Sequence, residues 1–341
     1  MKDSPLVSII IVNWNGGVIM IDCLKSLEKL NYSNWELILI DNGSVDGSED
    51  SVKNFKLNFK KNILIKNNSN LGFAKANNQG LLNTKGEYVL LLNNDTKVTP
   101  DFLNILIEKM ESDKSIGVVQ PKIFLMDKKD YLDNTGTYLT KIGFLEHWGF
   151  MQKDGNEFNK EREIFSAKGA CLLFRKSIAE KVGLFDDKFF NYFEESDFCW
   201  RVWISGFKVM FIPDTYIYHK LGYSSKKQKQ VVVNYHSMKN MLCAMIKNLE
   251  INNLVTIGGT HLFLIIGLSF YYLLKFRLGQ FLMVWRAIFW NISNIEETLQ
   301  KRKKIQQYRK ATDKDIFEKV MHDISISQMI GHFNLVEANF K

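Results

Sequence analysis

Three short polar segments, each directly after an apolar run, carry side chains that can bind a ligand. The apolar runs end at residues 12, 40 and 92, within VSIIIVN, WELILID and YVLLLNND of this 341-residue chain. Asn and Asp also suit turns, because they hydrogen-bond their own backbone, so each segment alone is consistent with a simple turn. The candidate ligand-binding residues of the three segments are Asn13, Asp41, Ser44, Asn93, Asn94 and Asp95.

A second candidate centre combines three acids with a histidine. Glu194, Glu195 and Asp197 stand in FFNYFEESDFCWR, at a predicted helix start where acids can simply complement the helix dipole. Two adjacent carboxylates can also raise each other's pKa, which suits one of them to act as a general base. His219 is either an ordinary histidine at the core edge or a metal ligand beside Asp95, since neutral imidazole suits Mn²⁺.

The sequence argues against two common nucleotide-binding sites. It contains no GxxxxGK[ST] segment, and no GxGxxG follows the first apolar run. Asp41 can instead accept a hydrogen bond from a base edge or from a ribose hydroxyl. The chain is therefore not predicted to hydrolyse ATP or to bind NAD.

The elements that must position these residues alternate between strand and helix in the first half of the chain. This alternation predicts an α/β fold with a mostly parallel, Rossmann-like sheet flanked by helices. Ligands bind beyond the carboxyl ends of parallel strands, so the polar segments should share one rim. The predicted strands are 6–12, 35–40, 63–66 and 88–92, and the predicted helices are 18–30, 72–82 and 100–110.

The second half predicts a mixed pattern. Strands are expected near 118–123 and 170–175, and a helix across 194–205. KVMFIPDTYIYHK is expected to form a short strand, a turn at Pro213 and Asp214, and a second strand that ends at His219. Four cysteines without CxxC spacing favour reduced thiols and a cytoplasmic setting over a disulfide framework or a zinc site.

The positive charge is concentrated late in the chain. Residues 220–310 carry 15 basic and 3 acidic side chains, whereas residues 1–219 carry 27 and 29. The 21-residue run 254–274 has no charged side chain and is long enough to span a bilayer, and a second apolar run, 278–290, is interrupted by Arg286. Basic residues on both sides favour a re-entrant or in-plane hairpin on an anionic membrane surface over a single span, and over nucleic acid as the partner. The alternative is a buried helical hairpin.

The ordered set of motifs resembles the glycosyltransferases of family 2, which have the GT-A fold, and within them the rhamnosyltransferase-like branch. The resemblance covers about residues 5–225, which predicts a catalytic domain at 1–225 and a helical C-terminal region at 226–341, with its membrane-associating segment at about 254–290. The motifs that carry it are VSIIIVNWNG, LILIDNGSVDGS, NSNLGFAKANNQG, YVLLLNNDT, FSAKGACLLFRKSIAEKVGLFDDKFF, YFEESDFCWR and YIYHKLGYS.

The resemblance implies a role for each candidate residue. Asp41 matches an aspartate that contacts the nucleobase, and Asn93 lies near the ribose. Asp95 and His219 match the site for Mg²⁺ or Mn²⁺, and Glu195 matches the usual base, with Glu194 and Asp197 as alternatives. The remaining candidate contacts to the nucleotide-sugar donor are Asn13, Ser44, Gly72 and Asn94.

The implied activity is inverting transfer of a sugar, rhamnose being one candidate, to a hydroxyl of a cell-surface glycan or lipid-linked acceptor. This chemistry belongs to polysaccharide and cell-envelope biosynthesis at the cytoplasmic face of the membrane. The alternative is a catalytically silent protein of the same fold that binds a glycan or a nucleotide sugar. Joint presence of Asp41, Asp95, the acid pair and His219 favours the enzyme. The sequence does not identify the sugar, the nucleotide, the acceptor or the oligomeric state.

Overall fold

A ten-stranded mixed sheet forms the centre of the protein. The computed structural model describes residues 4–48, 62–222 and 230–323. The main sheet has the order β10-β12-β6-β11-β4-β1-β2-β3, with β5 paired to β12 and β7 paired to β6. Its strands are β1 Val7–Asn13, β2 Trp35–Asp41, β3 Asn62–Lys66, β4 Tyr88–Leu92, β5 Thr96–Val98, β6 Ile116–Leu125, β7 Leu132–Asn134, β10 Arg162–Glu163, β11 Cys171–Arg175 and β12 Lys208–His219. A smaller sheet joins β8 Thr137–Thr140, β9 Leu145–His147 and β13 Met321–His322.

The predicted Rossmann-like half is confirmed. Strands β4, β1, β2 and β3 are parallel neighbours, and β11 joins β4 in the antiparallel direction. In the described part of the chain, α1 Gly17–Leu27 joins β1 to β2, α2 Phe73–Leu81 joins β3 to β4, and α3 Phe102–Ser112 lies between β5 and β6. Each of these helices begins and ends within three residues of the predicted positions. The central strands β1, β2 and β4 are mostly apolar because both faces of the sheet are covered, one by each of two core clusters.

The prediction of two strands separated by a turn before His219 is wrong. Residues Lys208–His219 form one strand, β12, which runs parallel to β6 along most of its length. The register shifts between Ile212 and Tyr216, and Pro213 lies within this irregularity. Proline lacks a backbone N–H and is tolerated in a strand at such a break, so the chain continues past it instead of turning.

The C-terminal helices share a core with the sheet. Met245, Leu249, Ile305 and Val320 belong to the same buried cluster as Trp200. The remaining helices are α4 Lys176–Val182, α5 Glu194–Ile204, α6 Gln230–Asn248, α7 Ile251–Leu274, α8 Leu278–Ser293, α9 Ile295–Gln307 and α10 Asp313–Val320. The predicted domain boundary near 225, the basic residues Lys226, Lys227 and Lys229, and the end of the chain beyond 323 lie outside the described residues.

Helices α7 and α8 form an antiparallel hairpin with one apolar face exposed. Helix α7 is long and apolar enough to cross a membrane, and it is the one helix of the described ranges with that property. Only 17% of its most apolar 18-residue stretch is buried inside the protein. The hairpin tip is exposed throughout: the side chains of Leu274 and Phe276 are 78% and 92% exposed, and Lys275 and Arg277 stand on either side of Phe276. The alternative prediction of a buried hairpin is therefore wrong for the exposed face, while Ile265 and Val284 pack inward.

Candidate active site

The ends of β1, β2 and β4 meet in a buried amide network centred on Asn13. The parallel register places Asn13 beside Asp41. The Asn13 amide Nδ2 donates to Asp41 Oδ1 at 3.0 Å, and its Oδ1 accepts from Asn94 Nδ2 at 2.8 Å. The predicted common rim is thus confirmed for these three residues. Asn13 therefore orients Asp41, and Asn94 orients Asn13; a direct contact of Asn13 or Asn94 with a nucleotide sugar stays a prediction.

The loop after β2 folds back onto the same carboxylate. The backbone N–H of Ser44 donates to Asp41 Oδ2 at 3.1 Å, and Ser44 Oγ accepts from Asn13 Nδ2 at 3.1 Å. Asp41 is 3% exposed, whereas Ser44 is partly exposed. Ser44 is therefore more accessible than the Asp41 carboxylate, and a contact of either residue with a nucleoside stays a prediction.

Gly72 has a packing role in the structure. Its φ of +86° lies in the region that favours glycine, and a Cβ built there would stand 2.3 Å from the carbonyl oxygen of Phe190. The next residue, Phe73, donates its backbone N–H to that same oxygen at 2.7 Å. Gly72 therefore brings the segment before the acid pair against the start of α2, and a direct contact between Gly72 and a nucleotide sugar stays a prediction.

A chain of alternating charges extends from Asp95 into the protein. His219 Nε2 lies 3.3 Å from Asp95 Oδ1, and its Nδ1 lies 2.8 Å from Asp133 Oδ2. Lys168 Nζ donates to the other oxygen of Asp133 at 2.6 Å. Burial lowers the pKa of His219, but Asp95 and Asp133 outweigh it and raise that pKa to about 9. Burial likewise opposes the ionised form of Asp133, yet Lys168 and His219 hold its pKa below the usual range.

Asp95 and His219 fit a divalent cation that also binds substrate oxygens. Among the described residues no group of three or more His, Cys, Asp and Glu side chains forms a metal site of its own. Asp95 Oδ1 is nevertheless buried, and apart from its ion pair with His219 at 3.3 Å it accepts no hydrogen bond from the described residues. Adjacent ligands of an octahedral ion, each about 2.1 Å from the metal, are about 3 Å apart. The Asp133 carboxylate behind His219 directs Nε2 toward Asp95, as carboxylates do behind metal-binding histidines.

The three acids of the second centre lie in two different environments. Glu194 is 3% exposed, while Glu195 is partly exposed and accepts from the backbone N–H of Gly169 at 3.4 Å. Each has an Oε2 atom without a partner among the described residues. Burial, and then the charge of Glu195, raise the pKa of Glu194 well above its usual range; burial also raises the pKa of Glu195.

Asp197 belongs to a buried ion network away from this pair. Its carboxylate accepts from Arg201 Nε and from Lys247 Nζ, each at 3.1 Å, and from Asn248 Nδ2 at 2.9 Å. Burial raises the pKa of Asp197, but Lys247 and Arg201 reverse that effect and lower it. The network connects α5 to α6, which gives Asp197 a structural function that explains its presence.

Sequence reasoning missed Asp133, Lys168 and Gly169. The loop of Lys168 and Gly169 contacts both centres, because Lys168 bonds to Asp133 and Gly169 bonds to Glu195. Asp133 is separated from His219 by 86 positions, and it stands before an ordinary NTG turn. No local pattern distinguishes Asp133 from a turn residue. Lys168 and Gly169, in contrast, stand in SAKGA, which is part of one of the motifs that carry the family resemblance.

Comparisons with known proteins match the chain to one family. The family model described as "Glycosyl transferase family 2" matches residues 8–183, a range that ends before Glu194. The chain is 24% identical over 221 residues to "Glycosyltransferase GlyG" of Streptococcus pneumoniae, which is 64% of this chain and 71% of that protein. The matches to three other curated relatives cover between 25% and 44% of the length of those proteins.

Two solved structures show the same fold. S. aureus TarS 1–349 in complex with UDP-GlcNAc superposes with a TM-score of 0.59 and 14% identity, over 89% of this chain and 91% of that one. The mannosyltransferase PcManGT from Pyrobaculum calidifontis, in complex with GDP-Man and Mn²⁺, gives a TM-score of 0.53 and 13% identity, over 93% and 89% of the two chains. These likenesses show the GT-A fold, as predicted.

Proposed function

The chain belongs to glycosyl transferase family 2, and from this premise we propose that it moves a sugar from a nucleoside-diphosphate sugar to an acceptor hydroxyl, with inversion at the anomeric carbon. The acceptor is a cell-surface glycan or a lipid-linked saccharide. One observation carries the proposal: a continuous path of contacts joins the two centres. It runs from Asp95 through His219, Asp133 and the loop of Lys168 and Gly169 to Glu195.

The donor is held at the rim of the parallel strands. Asp41, with Ser44 beside it, faces the nucleoside, and Asn93 faces the ribose. The diphosphate lies at Asp95 and His219, where a bound Mg²⁺ or Mn²⁺ would supply positive charge against the leaving nucleoside diphosphate. The complexes of two similar folds, one with UDP-GlcNAc and one with GDP-Man and Mn²⁺, support a donor of this class.

Glu195 is the base of the proposed reaction. It is partly exposed and can be reached by an acceptor, whereas Glu194 is 3% exposed. Burial, and then the charge on Glu195, raise the pKa of Glu194 well above its usual range, which leaves Glu195 as the acid of the pair that loses its proton first. Asp197 is neutralised by Lys247 and Arg201 and does not face a free space. Glu195 then takes the proton of the acceptor hydroxyl as that oxygen attacks the anomeric carbon from the side opposite the diphosphate.

A donor screen tests the proposal. Purified full-length protein is incubated with dTDP-rhamnose, UDP-GlcNAc, GDP-mannose and related donors, and released nucleoside diphosphate is measured with and without Mn²⁺. The motif resemblance puts dTDP-rhamnose first in the panel. We expect release from one donor class, stimulated by an acceptor saccharide. Saturable binding of a donor with no release under any condition would instead indicate the catalytically silent binding protein.

The α7–α8 hairpin attaches the enzyme to the cytoplasmic face of the membrane. Its exposed apolar side chains include Phe263, Phe270, Leu274, Phe276 and Leu278. Lys275 and Arg277 at the tip are exposed and suit anionic headgroups. Lys239 and Lys247 are among the basic residues that precede the apolar runs in the sequence. They are only 3% and 2% exposed, so neither side chain can reach a headgroup. The attachment therefore rests on the apolar tip with a small basic contribution.

Substitution at the tip tests the attachment without damaging the core. Truncation near residue 250 would also remove Ile305 and Val320 from the central core, and the fold would suffer. We expect Leu274→Ser/Phe276→Ser to lose at least about 10-fold in affinity for vesicles containing phosphatidylglycerol, because two apolar side chains leave the bilayer. Flotation of the vesicles on a density gradient measures the bound fraction.

The matched control changes two equally exposed apolar residues elsewhere. Val18 and Leu82 are 77% and 87% exposed, and neither lies on the hairpin. Val18→Ser/Leu82→Ser should bind vesicles like the unmodified protein. Equal binding by both double variants would contradict attachment through the tip. Accessibility of a C-terminal tag from outside intact cells would indicate a single span instead.

A further inference from the structure

The segment before the acid pair has an unusual backbone. Tyr192 and Phe193 have φ values of +69° and +72°, in the left-handed region that side chains with a Cβ rarely adopt. Phe193 is the residue directly before α5, whose first two residues are Glu194 and Glu195. Two consecutive aromatic residues in this region store backbone strain, which persists only where surrounding contacts hold it.

Four successive carbonyl groups of this turn are bound by three different helices. Phe190 O accepts from the backbone N–H of Phe73 at the start of α2, and Phe193 O accepts from Asp197 N within α5. The two carbonyls between them both accept from one side chain of α6. Asn240 Nδ2 donates to Asn191 O at 3.0 Å and to Tyr192 O at 2.6 Å.

Asn240 is buried, and its neighbour Lys239 anchors this part of α6. Asn240 is 0% exposed. The carbonyl of its neighbour Lys239 accepts from Asn291 Nδ2 of α8 at 3.0 Å. The Lys239 ammonium donates to Lys188 O at 2.9 Å and lies 4.4 Å from the centre of the Trp290 ring. The helix that carries Asn240 is therefore anchored on both sides.

We propose that Asn240 is a positioning residue that holds the strained turn and thereby fixes where Glu194 and Glu195 point. The inference rests on the proposed function, because the acid pair is its target. Without the Asn240 amide, two carbonyls of the turn lose their donor, and the left-handed pair can relax toward ordinary φ values. Helix α5 would then begin at a different angle, and a displacement of about 1 Å at a reacting group can cost about 100-fold in rate.

The expected result for Asn240→Ala is a split between the two kinetic constants. The kcat should fall about 10- to 100-fold, while the KM for the donor changes less than about 3-fold, because Asp41, Asp95 and His219 do not contact α6. Asn240→Asp should be at least as impaired, since a carboxylate of the same shape cannot donate to the two carbonyls. Asn234→Ala, on the same helix, is the matched control and should keep its kcat.

A second substitution tests the strain directly. Glycine adopts the left-handed region without cost. Tyr192→Gly should therefore restore part of the kcat, about 3-fold or more, when it is added to Asn240→Ala. A side chain that only stabilised the fold would not be rescued in this way, because Tyr192→Gly removes packing. An unchanged kcat in Asn240→Ala, or a reduced kcat that Tyr192→Gly does not raise, would overturn the proposal.

Hydrogen exchange separates this inference from the proposed function. We expect peptides covering 190–197 to exchange about 10-fold faster in Asn240→Ala than in the unmodified protein, and peptides covering 36–46 to stay unchanged. This readout needs no turnover. An inactive unmodified protein would therefore refute the proposed function alone, whereas unchanged exchange at 190–197 would refute the role of Asn240 alone.

Discussion

Glu195→Gln is expected to lower the turnover of the enzyme about 100- to 10,000-fold, the usual contribution of a general base, while the donor affinity changes less than about 3-fold. The amide keeps the shape of the side chain and still accepts from Gly169 N–H, but it cannot take a proton. Release of nucleoside diphosphate measures the turnover, and calorimetric titration measures donor binding.

Two neighbouring substitutions serve as controls for this assignment. Glu194→Gln should retain most of the turnover, because burial and the charge of Glu195 already keep Glu194 protonated. Asp197→Asn should reduce the thermal stability, since Lys247 is 2% exposed and would lose one of its two carboxylate partners. A stable Asp197→Asn variant without activity, beside an active Glu195→Gln variant, would move the base to Asp197.

The same assignment fixes the direction of the pH dependence. The base works as a carboxylate, so turnover should rise with pH as Glu195 loses its proton. Because burial raises the pKa of Glu195 from its ordinary 4.5, the acid limb of the rate profile should lie above that value. An acid limb centred below pH 4.5 would contradict Glu195 as the base.

Asp95→Ala is expected to reduce turnover at least about 100-fold and to weaken Mn²⁺ binding by a comparable factor. Asp95 Oδ1 lies 3.3 Å from His219 Nε2, and the substitution removes the negative charge from that pair. Asp95→Asn, which keeps the volume of this buried side chain, should behave alike if charge and not packing is decisive. Initial rates across a Mn²⁺ series and electron paramagnetic resonance of free Mn²⁺ measure the two effects.

Asp22→Asn is the matched control for the loss of charge at this edge. Asp22 forms an exposed ion pair with Lys97, which belongs to strand β5, directly after Asp95. Its removal should leave both the rate and Mn²⁺ binding within about 2-fold, as is usual for an exposed pair. Full activity of Asp95→Ala, or of the unmodified protein in excess chelator, would refute the metal assignment.

The sequence predicted the rim of the sheet because that rim follows from local patterns. Apolar runs fix the parallel strands, and parallel strands bring Asn13, Asp41 and Asn94 to one edge, where they do form hydrogen bonds. It did not predict Asp133 or Asn240, because their partners are remote. Asn240 acts on a turn almost 50 positions away, at Asn191 and Tyr192. Such contacts depend on how α6 packs against α5, which neither periodicity nor motif spacing determines.

The C-terminal region shows the same limit. The uncharged run 254–274 indicated an apolar helix, and α7 is one. The mixed charges of α9 and α10 gave no sign that Ile305, Ile316 and Val320 would reach the central core. A few apolar side chains on one face are sufficient to bury that face of a mostly polar helix. The number of charged residues in the segment does not reveal such a face.

The central claim is that donor and base face each other across one anomeric carbon. A crystal structure of Glu195→Gln with the identified nucleotide sugar and Mn²⁺ tests it most directly, since this variant should bind the donor without consuming it. The account predicts an anomalous Mn²⁺ peak at Asp95 and His219, the diphosphate against that ion, and residue 195 on the opposite side of the anomeric carbon. A donor bound away from Asp95, or residue 195 on the same side as the diphosphate, would contradict it.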